Sequence, residues 1–218
     1  MSLLIKICGL TTREAAQAVS DVGADMAGFI FFEKSPRFIS SFGQARDVEA
    51  GLDPAIARVM VTVNASDDEL TAITTNLEPD YLQLHGDENP ARVAEIKAKF
   101  AIPVIKCCLI SDMNDVDGAR EFEGVADLLL FDAKPKADQT SRPGGWGESF
   151  NWQLLTGQKW NVPWLLAGGL NPDNVAEAVS LVKPVGIDFS SGVEAAPGVK
   201  SPELIEKIVA AAREAQDA

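Results

Sequence analysis

The chain has 218 residues and a formal net charge of −13, and hydrophobic residues make up 46% of it. This length and composition suit a sizeable core, so we expect residues 1–218 to form a single domain. The negative charge argues against nucleic acid or an anionic membrane as a partner. No stretch approaches the roughly 20 apolar residues of a membrane span, and the first residues lack a signal-peptide pattern, which predicts a cytoplasmic protein.

The cysteine and histidine content disfavours disulfides and metal sites. Cys8, Cys107 and Cys108 are odd in number and two of them are adjacent, so no disulfide framework is indicated. Because His85 is the only histidine, a zinc site with the usual His/Cys spacing is disfavoured as well. We therefore predict a protein without a metal.

Short apolar, β-branched runs alternate with helical patterns along the chain. The runs predict eight strands, at Leu3–Cys8, Ala27–Phe32, Ala57–Val63, Tyr81–His85, Val104–Cys107, Leu128–Asp132, Trp164–Ala167 and Gly186–Phe189. Capping patterns predict helix starts at Thr11 with Glu14, Ser66 with Glu69, Asn89-Pro90, Asn171-Pro172 and Ser201-Pro202.

Strict alternation of strands and helices predicts a parallel sheet, which is either a closed barrel or an open doubly wound sheet. About eight units of roughly 25 residues favour the barrel. The glycine-rich dinucleotide fingerprint is also missing after the first strand. We therefore predict a single (β/α)₈ barrel.

The long segment from Ala133 to Asn151 has little periodicity and follows the sixth strand, so we interpret it as a lid over the catalytic face.

Side chains of a barrel strand alternate between the interior and the helix layer. If Ile5 and Ile7 face the helices, Cys8 faces the interior at the carboxyl end of its strand, and the same parity places His85 and Asp132 there. Each residue alone is more often structural, but together they predict a site where barrel enzymes carry out their chemistry. Cys8 and Asp132 would make an acid–base pair. A Cys nucleophile with a His base is the competing chemistry.

Two glycine-bearing loops predict an anion site. Gly168-Gly169 follows the seventh strand and Ser191-Gly192 follows the eighth, the usual position of phosphate in such barrels. The alternative for the glycine pair is a simple tight turn.

Arg37, held after a proline, is the candidate to bind a carboxylate through its guanidinium fork. Lys6 and Asp188 lie on neighbouring strands of a closed barrel, so we predict a structural ion pair between them.

These motifs, taken in order, resemble the phosphoribosylanthranilate isomerase family of tryptophan biosynthesis over nearly the whole chain. The matching segments are Lys6-Ile7-Cys8-Gly9-Leu10-Thr11, Ser35-Pro36-Arg37, Leu82-Gln83-Leu84-His85-Gly86, Asp132, Gly144-Gly145 with Phe150-Asn151-Trp152, Leu166-Ala167-Gly168-Gly169-Leu170 and Ser190-Ser191-Gly192-Val193-Glu194.

The resemblance implies a cofactor-independent Amadori rearrangement of a small phosphorylated substrate, by a monomer or a homodimer. It implies that Asp132 is the general acid and Cys8 the general base, and that Arg37 holds the anthranilate carboxylate. It also implies that Gly168, Gly169, Ser191 and Gly192 bind the phosphate, and we expect His85 to contact the substrate. Two alternatives remain: a barrel such as indole-3-glycerol phosphate synthase, which calls for a catalytic Lys and Glu, and a non-catalytic barrel that binds a phosphorylated ligand.

Overall fold

Eight parallel strands close into a barrel in the computed structural model, which describes residues 2–135, 147 and 149–217. Each strand pairs with the next, and β1 pairs with β8 to complete the ring. The strands are β1 Leu4–Cys8, β2 Met26–Ile30, β3 Ala57–Thr62, β4 Tyr81–Leu84, β5 Val104–Ile110, β6 Leu128–Ala133, β7 Trp164–Leu166 and β8 Gly186–Phe189. The predicted (β/α)₈ barrel is confirmed, and all eight predicted strands are present with small shifts at their ends.

Helices connect the strands on the outside of the barrel. They are α1 Arg13–Asp21, α2 Phe42–Glu49, α3 Asp67–Leu77, α4 Pro90–Phe100, α5 Met113–Ala119, α6 Val175–Val182 and α7 Pro202–Asp217. Between β6 and β7 the described residues include the 3₁₀ turn Trp152–Leu155, and β8 is followed by a hairpin of β9 Glu194–Ala196 and β10 Val199–Lys200. None of the helices in the described ranges is both long and apolar enough to cross a membrane.

The capping patterns located most helix starts correctly. Ser66 and Glu69 form a reciprocal capping box at α3, and the Asn89 side chain accepts a bond from the Arg92 amide at α4. At α7 the Ser201 hydroxyl accepts from the amide of Leu204, 3.3 Å away. These three predictions are confirmed because the bonds that define a cap are local in sequence.

Two predicted starts were wrong. Thr12, not Thr11, caps α1, because the Thr11 hydroxyl is drawn into a bond of 3.1 Å with the Gly198 carbonyl. Helix α6 begins at Val175 rather than at Pro172. The Asn171 side chain caps a preceding turn instead, accepting from the amide of Asp173 at 2.9 Å.

The core has two layers separated by the barrel wall. Ile5, Ile7, Leu129 and Phe131 pack with the helices, as their strand parity predicts. Alternate residues pack inside the barrel, and these are Cys8, Met26, Val59, Val61, Ile105, Cys107, Leu128, Leu130, Leu165 and Ala167. Alternation along the strands therefore decides which side chains reach the interior.

Strand β5 extends three residues beyond its predicted end and pairs with β6 up to the carboxyl end of the barrel. The last pairs match Leu109 with Asp132 and Ile110 with Ala133. This pairing fixes the backbone that carries Asp132. The predicted lid from Ala133 to Asn151 falls largely on residues 136–146 and 148, which lie outside the described residues.

Candidate active site

Cys8 ends β1 with its thiol among the residues of the barrel interior, and its side chain is 5% exposed. Burial raises the pKa of the thiol, whereas the ammonium groups of Lys6 and Lys200 lower it by favouring the thiolate. The net pKa lies above the ordinary value, so the thiol is neutral near pH 7. Once deprotonated it is a strong base that is shielded from water.

Asp132 lies at the carboxyl end of β6 and is buried. One carboxylate oxygen, Oδ1, accepts a bond of 2.8 Å from the amide of Ala133. The other, Oδ2, lies 3.5 Å from Nε2 of His85. Gly168 has a positive φ of 85°, and an added Cβ there would lie 3.2 Å from Oδ1, so the glycine loop after β7 packs against the acid.

The His85 ring is held between Asp132 and two further polar side chains. The amide nitrogen of Gln83 is directed at Nδ1 from 3.0 Å, and the sulfur of Cys107 lies 3.5 Å from Nε2. Nδ1 faces the side-chain amide of Gln83, and Nε2 faces both the Cys107 sulfur and the Asp132 carboxylate, so the side on which the ring donates depends on its tautomer. His85 and Asp132 lie at the same end of the barrel, as the strand parity predicts.

His85, Cys107 and Asp132 also form the one set of described side chains whose donor atoms could share a cation, all lying within 4.8 Å of one another. A histidine that binds a metal through one ring nitrogen normally donates the other N–H to an acceptor. Here the second ring nitrogen faces the side-chain amide of Gln83. We interpret the set as a cluster of polar side chains beside the carboxylate of Asp132.

Lys6 and Asp188 form a buried ion pair across the seam between β1 and β8, where they are register partners. The Nζ–Oδ1 distance is 3.0 Å and the side chains are 0% and 8% exposed. The predicted structural pair is confirmed. The pair also acts on Cys8: the Lys6 ammonium lowers the pKa of the thiol, and the Asp188 carboxylate raises it.

Arg37 is buried, and its guanidinium is already paired within the protein. Nε and Nη2 donate to the two carboxylate oxygens of Glu194 at 2.6 and 2.8 Å. Glu194 also accepts from Nζ of Lys200 at 2.8 Å. The sequence predicts a substrate carboxylate as the partner of Arg37 and does not reveal Glu194, which is 157 residues away along the chain.

The glycine loops after β7 and β8 are in contact at the same end of the barrel. Gly168 and Gly169 both have positive φ, and a Cβ on Gly192 would collide with the carbonyl oxygen of Leu170. The Ser190 hydroxyl donates to the backbone carbonyl of Cys8 at 3.1 Å, which ties the second loop to β1. The two loops and the end of β1 thus lie together at this end of the barrel.

Residues 5–211 match the family model described as N-(5'phosphoribosyl)anthranilate (PRA) isomerase. The chain belongs to this family. It is an isomerase of the tryptophan pathway, as its motifs predicted.

Curated and solved members of the family cover the chain almost completely. The N-(5'-phosphoribosyl)anthranilate isomerase of Mesorhizobium japonicum is 49% identical over 100% of this chain and 98% of its own length. That of Bradyrhizobium diazoefficiens is 46% identical over 100% and 97%. The crystal structure of the Thermotoga maritima isomerase covers 97% of this chain and 99% of its own, with a TM-score of 0.84 and 33% identity. A solved isomerase in complex with reduced 1-(o-carboxyphenylamino)-1-deoxyribulose 5-phosphate covers the same shares, with a TM-score of 0.82 and 32% identity.

Proposed function

We propose that the chain converts N-(5-phosphoribosyl)anthranilate to 1-(2-carboxyphenylamino)-1-deoxyribulose 5-phosphate, with Cys8 as general base and Asp132 as general acid. We assign these roles because a buried thiol and a buried carboxylate both lie at the carboxyl end of the barrel. The thiol ends β1 and the carboxylate ends β6, so both face a substrate that lies across the barrel mouth.

The substrate has two anionic ends, and the protein offers a complement for each. The contacting loops that carry Gly168, Gly169, Ser191 and Gly192 would bind the phosphate through backbone amides. Arg37, whose side chain packs against the backbone directly after Cys8, would bind the anthranilate carboxylate. These assignments explain how a chain with a net charge of −13 can bind an anion, since amides and buried cations create a locally favourable site.

The proton transfers follow from the two buried groups. Asp132 donates a proton to the ribose ring oxygen, so that the C1–O bond breaks and the nitrogen lone pair forms a C1=N iminium. Cys8, as thiolate, removes the proton from C2, and the electron pair of that C–H bond forms the C1=C2 enolamine. The enolamine then gains a proton at C1 and loses one from the C2 hydroxyl. C1 is reduced and C2 oxidised within one molecule, so the substrate's own nitrogen serves as electron sink and the proposal needs no cofactor.

His85 supports the acid role of Asp132. Its Nε2 proton can donate to the carboxylate left after ring opening, which stabilises that charge in a buried site. We propose that the ring also contacts the substrate, since it lies beside the same carboxylate at the barrel mouth.

The test is direct. Freshly prepared N-(5-phosphoribosyl)anthranilate is incubated with the purified chain, the loss of anthranilate fluorescence is followed, and the aminoketone product is identified by mass. Turnover is expected in the wild type and should be slower by about two to four orders of magnitude in Cys8→Ala. A folded wild type without turnover, stabilised by phosphate, would instead support the non-catalytic barrel.

A further inference from the structure

Arg37, Glu194 and Lys200 form a buried cluster in which two cations share one carboxylate. Oε1 of Glu194 accepts from Nε of Arg37 at 2.6 Å and from Nζ of Lys200 at 2.8 Å. The side chains are 4%, 4% and 0% exposed. With all three groups ionised the cluster carries one net positive charge. Arg37 and Glu194 alone would have no net charge. A substrate carboxylate would then be repelled by Glu194 as well as attracted by Arg37.

The surrounding loops fix the position of this cluster. A Cβ on Gly9 would lie 2.5 Å from Cδ of Arg37, so the arginine stem crosses the backbone directly after Cys8. The turn of the β9–β10 hairpin presses on the arginine loop, since a Cβ on Gly198 would lie 2.5 Å from the carbonyl oxygen of Pro36. Lys200 is anchored as well, donating to the carbonyl of Ser190 at 2.9 Å. The hairpin therefore holds Glu194 against Arg37 at the barrel mouth.

The geometry of the guanidinium determines which of its N–H donors remain available for a ligand. Glu194 takes the edge formed by Nε and Nη2. A guanidinium has five N–H donors in a planar fork, so the Nη1–Nη2 edge can receive a second carboxylate end-on. A freely rotating arginine would have to be ordered when the ligand binds, and here that ordering is already complete.

We propose that Glu194 is a positioning residue that fixes Arg37 for end-on binding of the substrate carboxylate, and that Lys200 keeps the cluster positively charged. This rests on the proposed function, in which Arg37 binds the anthranilate ring's carboxylate. The cluster would thus determine specificity for an N-aryl substrate that carries an ortho carboxylate.

Glu194→Gln tests the proposal with two substrates, phosphoribosylanthranilate and the phosphoribosyl derivative of aniline, which lacks the carboxylate. We expect kcat/KM for the first to fall by about 10- to 100-fold, mainly through KM, because the arginine is misplaced. For the aniline derivative it should change by less than about twofold, and Glu194→Asp should restore part of the loss. Equal losses on both substrates would overturn the proposal, because a merely structural defect does not sense the carboxylate.

A double-mutant cycle gives an independent reading. In an Arg37→Ala background, Glu194→Gln should have almost no further effect on KM, since its action runs through the arginine. Additive effects would overturn the proposal.

Lys200→Met, which leaves a neutral pair, should also reduce the preference for the carboxylated substrate, and an unchanged preference would remove Lys200 from the proposal.

Glu88→Gln is the matched control. Glu88 is also a buried carboxylate with a lysine at 2.8 Å, Lys106, but it makes no contact with Arg37. It should lower thermal stability without changing the ratio of kcat/KM between the two substrates, and a shift in that ratio equal to that of Glu194→Gln would overturn the proposal. Absence of turnover by the wild type would contradict the proposed function itself. If the wild type is active and Glu194→Gln has the same kcat/KM values as the wild type, only the positioning role is contradicted.

Discussion

Gly28 lies directly against the thiol of Cys8. The two residues are register partners on β2 and β1, and a Cβ built on Gly28 would lie 2.7 Å from the Cys8 sulfur and 3.0 Å from its Cα. Atoms this close cannot coexist without a shift of the thiol or of the strand. The position of the proposed base thus depends on the absence of a side chain on the neighbouring strand.

Gly28→Ala should therefore impair catalysis although no polar group is removed. The added methyl displaces the thiol from the C2 proton that it removes, and a misplacement of this kind costs about 100-fold in kcat/KM. Steady-state kinetics with circular dichroism on the same sample measures the effect. Gly118→Ala, where an added Cβ has no neighbour within 4 Å, is the control and should leave the rate unchanged. Wild-type kinetics in folded Gly28→Ala would mean that the thiol does not need this position.

The proposed acid and base make a second prediction. Cys8→Ala and Asp132→Asn should each lower kcat by about two to four orders of magnitude while remaining folded, because each removes one proton transfer. Cys8→Ser should be nearly as poor as Cys8→Ala, since a hydroxyl is a much weaker base than a thiolate. Cys108→Ala is the control, a buried cysteine that packs with the helix layer. Near-normal turnover in Cys8→Ala or in Asp132→Asn would remove the corresponding role.

The pH dependence of the residual kcat of Asp132→Asn provides a third test, because no acid titrates at that position in this variant. Burial raises the pKa of Cys8, and the base must be deprotonated to act. The kcat of this variant at saturating substrate should therefore rise with pH beyond the ordinary range of a thiol, since a raised pKa moves this limb to higher, not lower, pH. Profiles recorded from about pH 6 to about pH 10 show the limb directly. A plateau already reached near neutrality would contradict a neutral resting thiol.

Binding of phosphate can be tested by stability. Inorganic phosphate should raise the melting temperature of the wild type, because a ligand of the native state stabilises it by mass action. Ser191→Asp introduces a negative charge into the loop after β8 and should abolish the shift. This variant is preferable to any change at Gly192, where a side chain would collide with the Leu170 carbonyl. Chloride at matched ionic strength is the control. An equal phosphate effect in Ser191→Asp would place the anion elsewhere.

The buried pair of Lys6 and Asp188 makes a prediction about stability. Asp188→Asn leaves the Lys6 ammonium without its counter-charge, and breaking such a pair costs about 3–5 kcal/mol in free energy of unfolding. Asp47→Asn disrupts the exposed pair with Arg13, where the side chains are 58% and 68% exposed, and should cost less than about 1 kcal/mol. Urea unfolding of the three proteins measures both differences. Equal stability of Asp188→Asn and the wild type would show that the pair is not structural.

Much of the architecture follows from the sequence, because its causes are local. Alternation of apolar residues along each strand sets which side chains face the interior, and this alone placed Cys8, His85 and Asp132 at one end of the barrel. Closure of eight units made Lys6 and Asp188 neighbours. The capping box of Ser66 and Glu69 spans four residues and could be identified without any tertiary contact.

Other features were decided only by the tertiary structure. Which residue lies beside Cys8 depends on the register between β1 and β2, which no single segment encodes, so the sequence does not predict the role of Gly28. Glu194 and Arg37 are brought together by the β9–β10 hairpin packing on a loop from the opposite end of the chain. The same packing drew the Thr11 hydroxyl to Gly198 and left the helix cap to Thr12. Local periodicity specifies the face on which a side chain lies, whereas its partner on that face is selected by long-range packing.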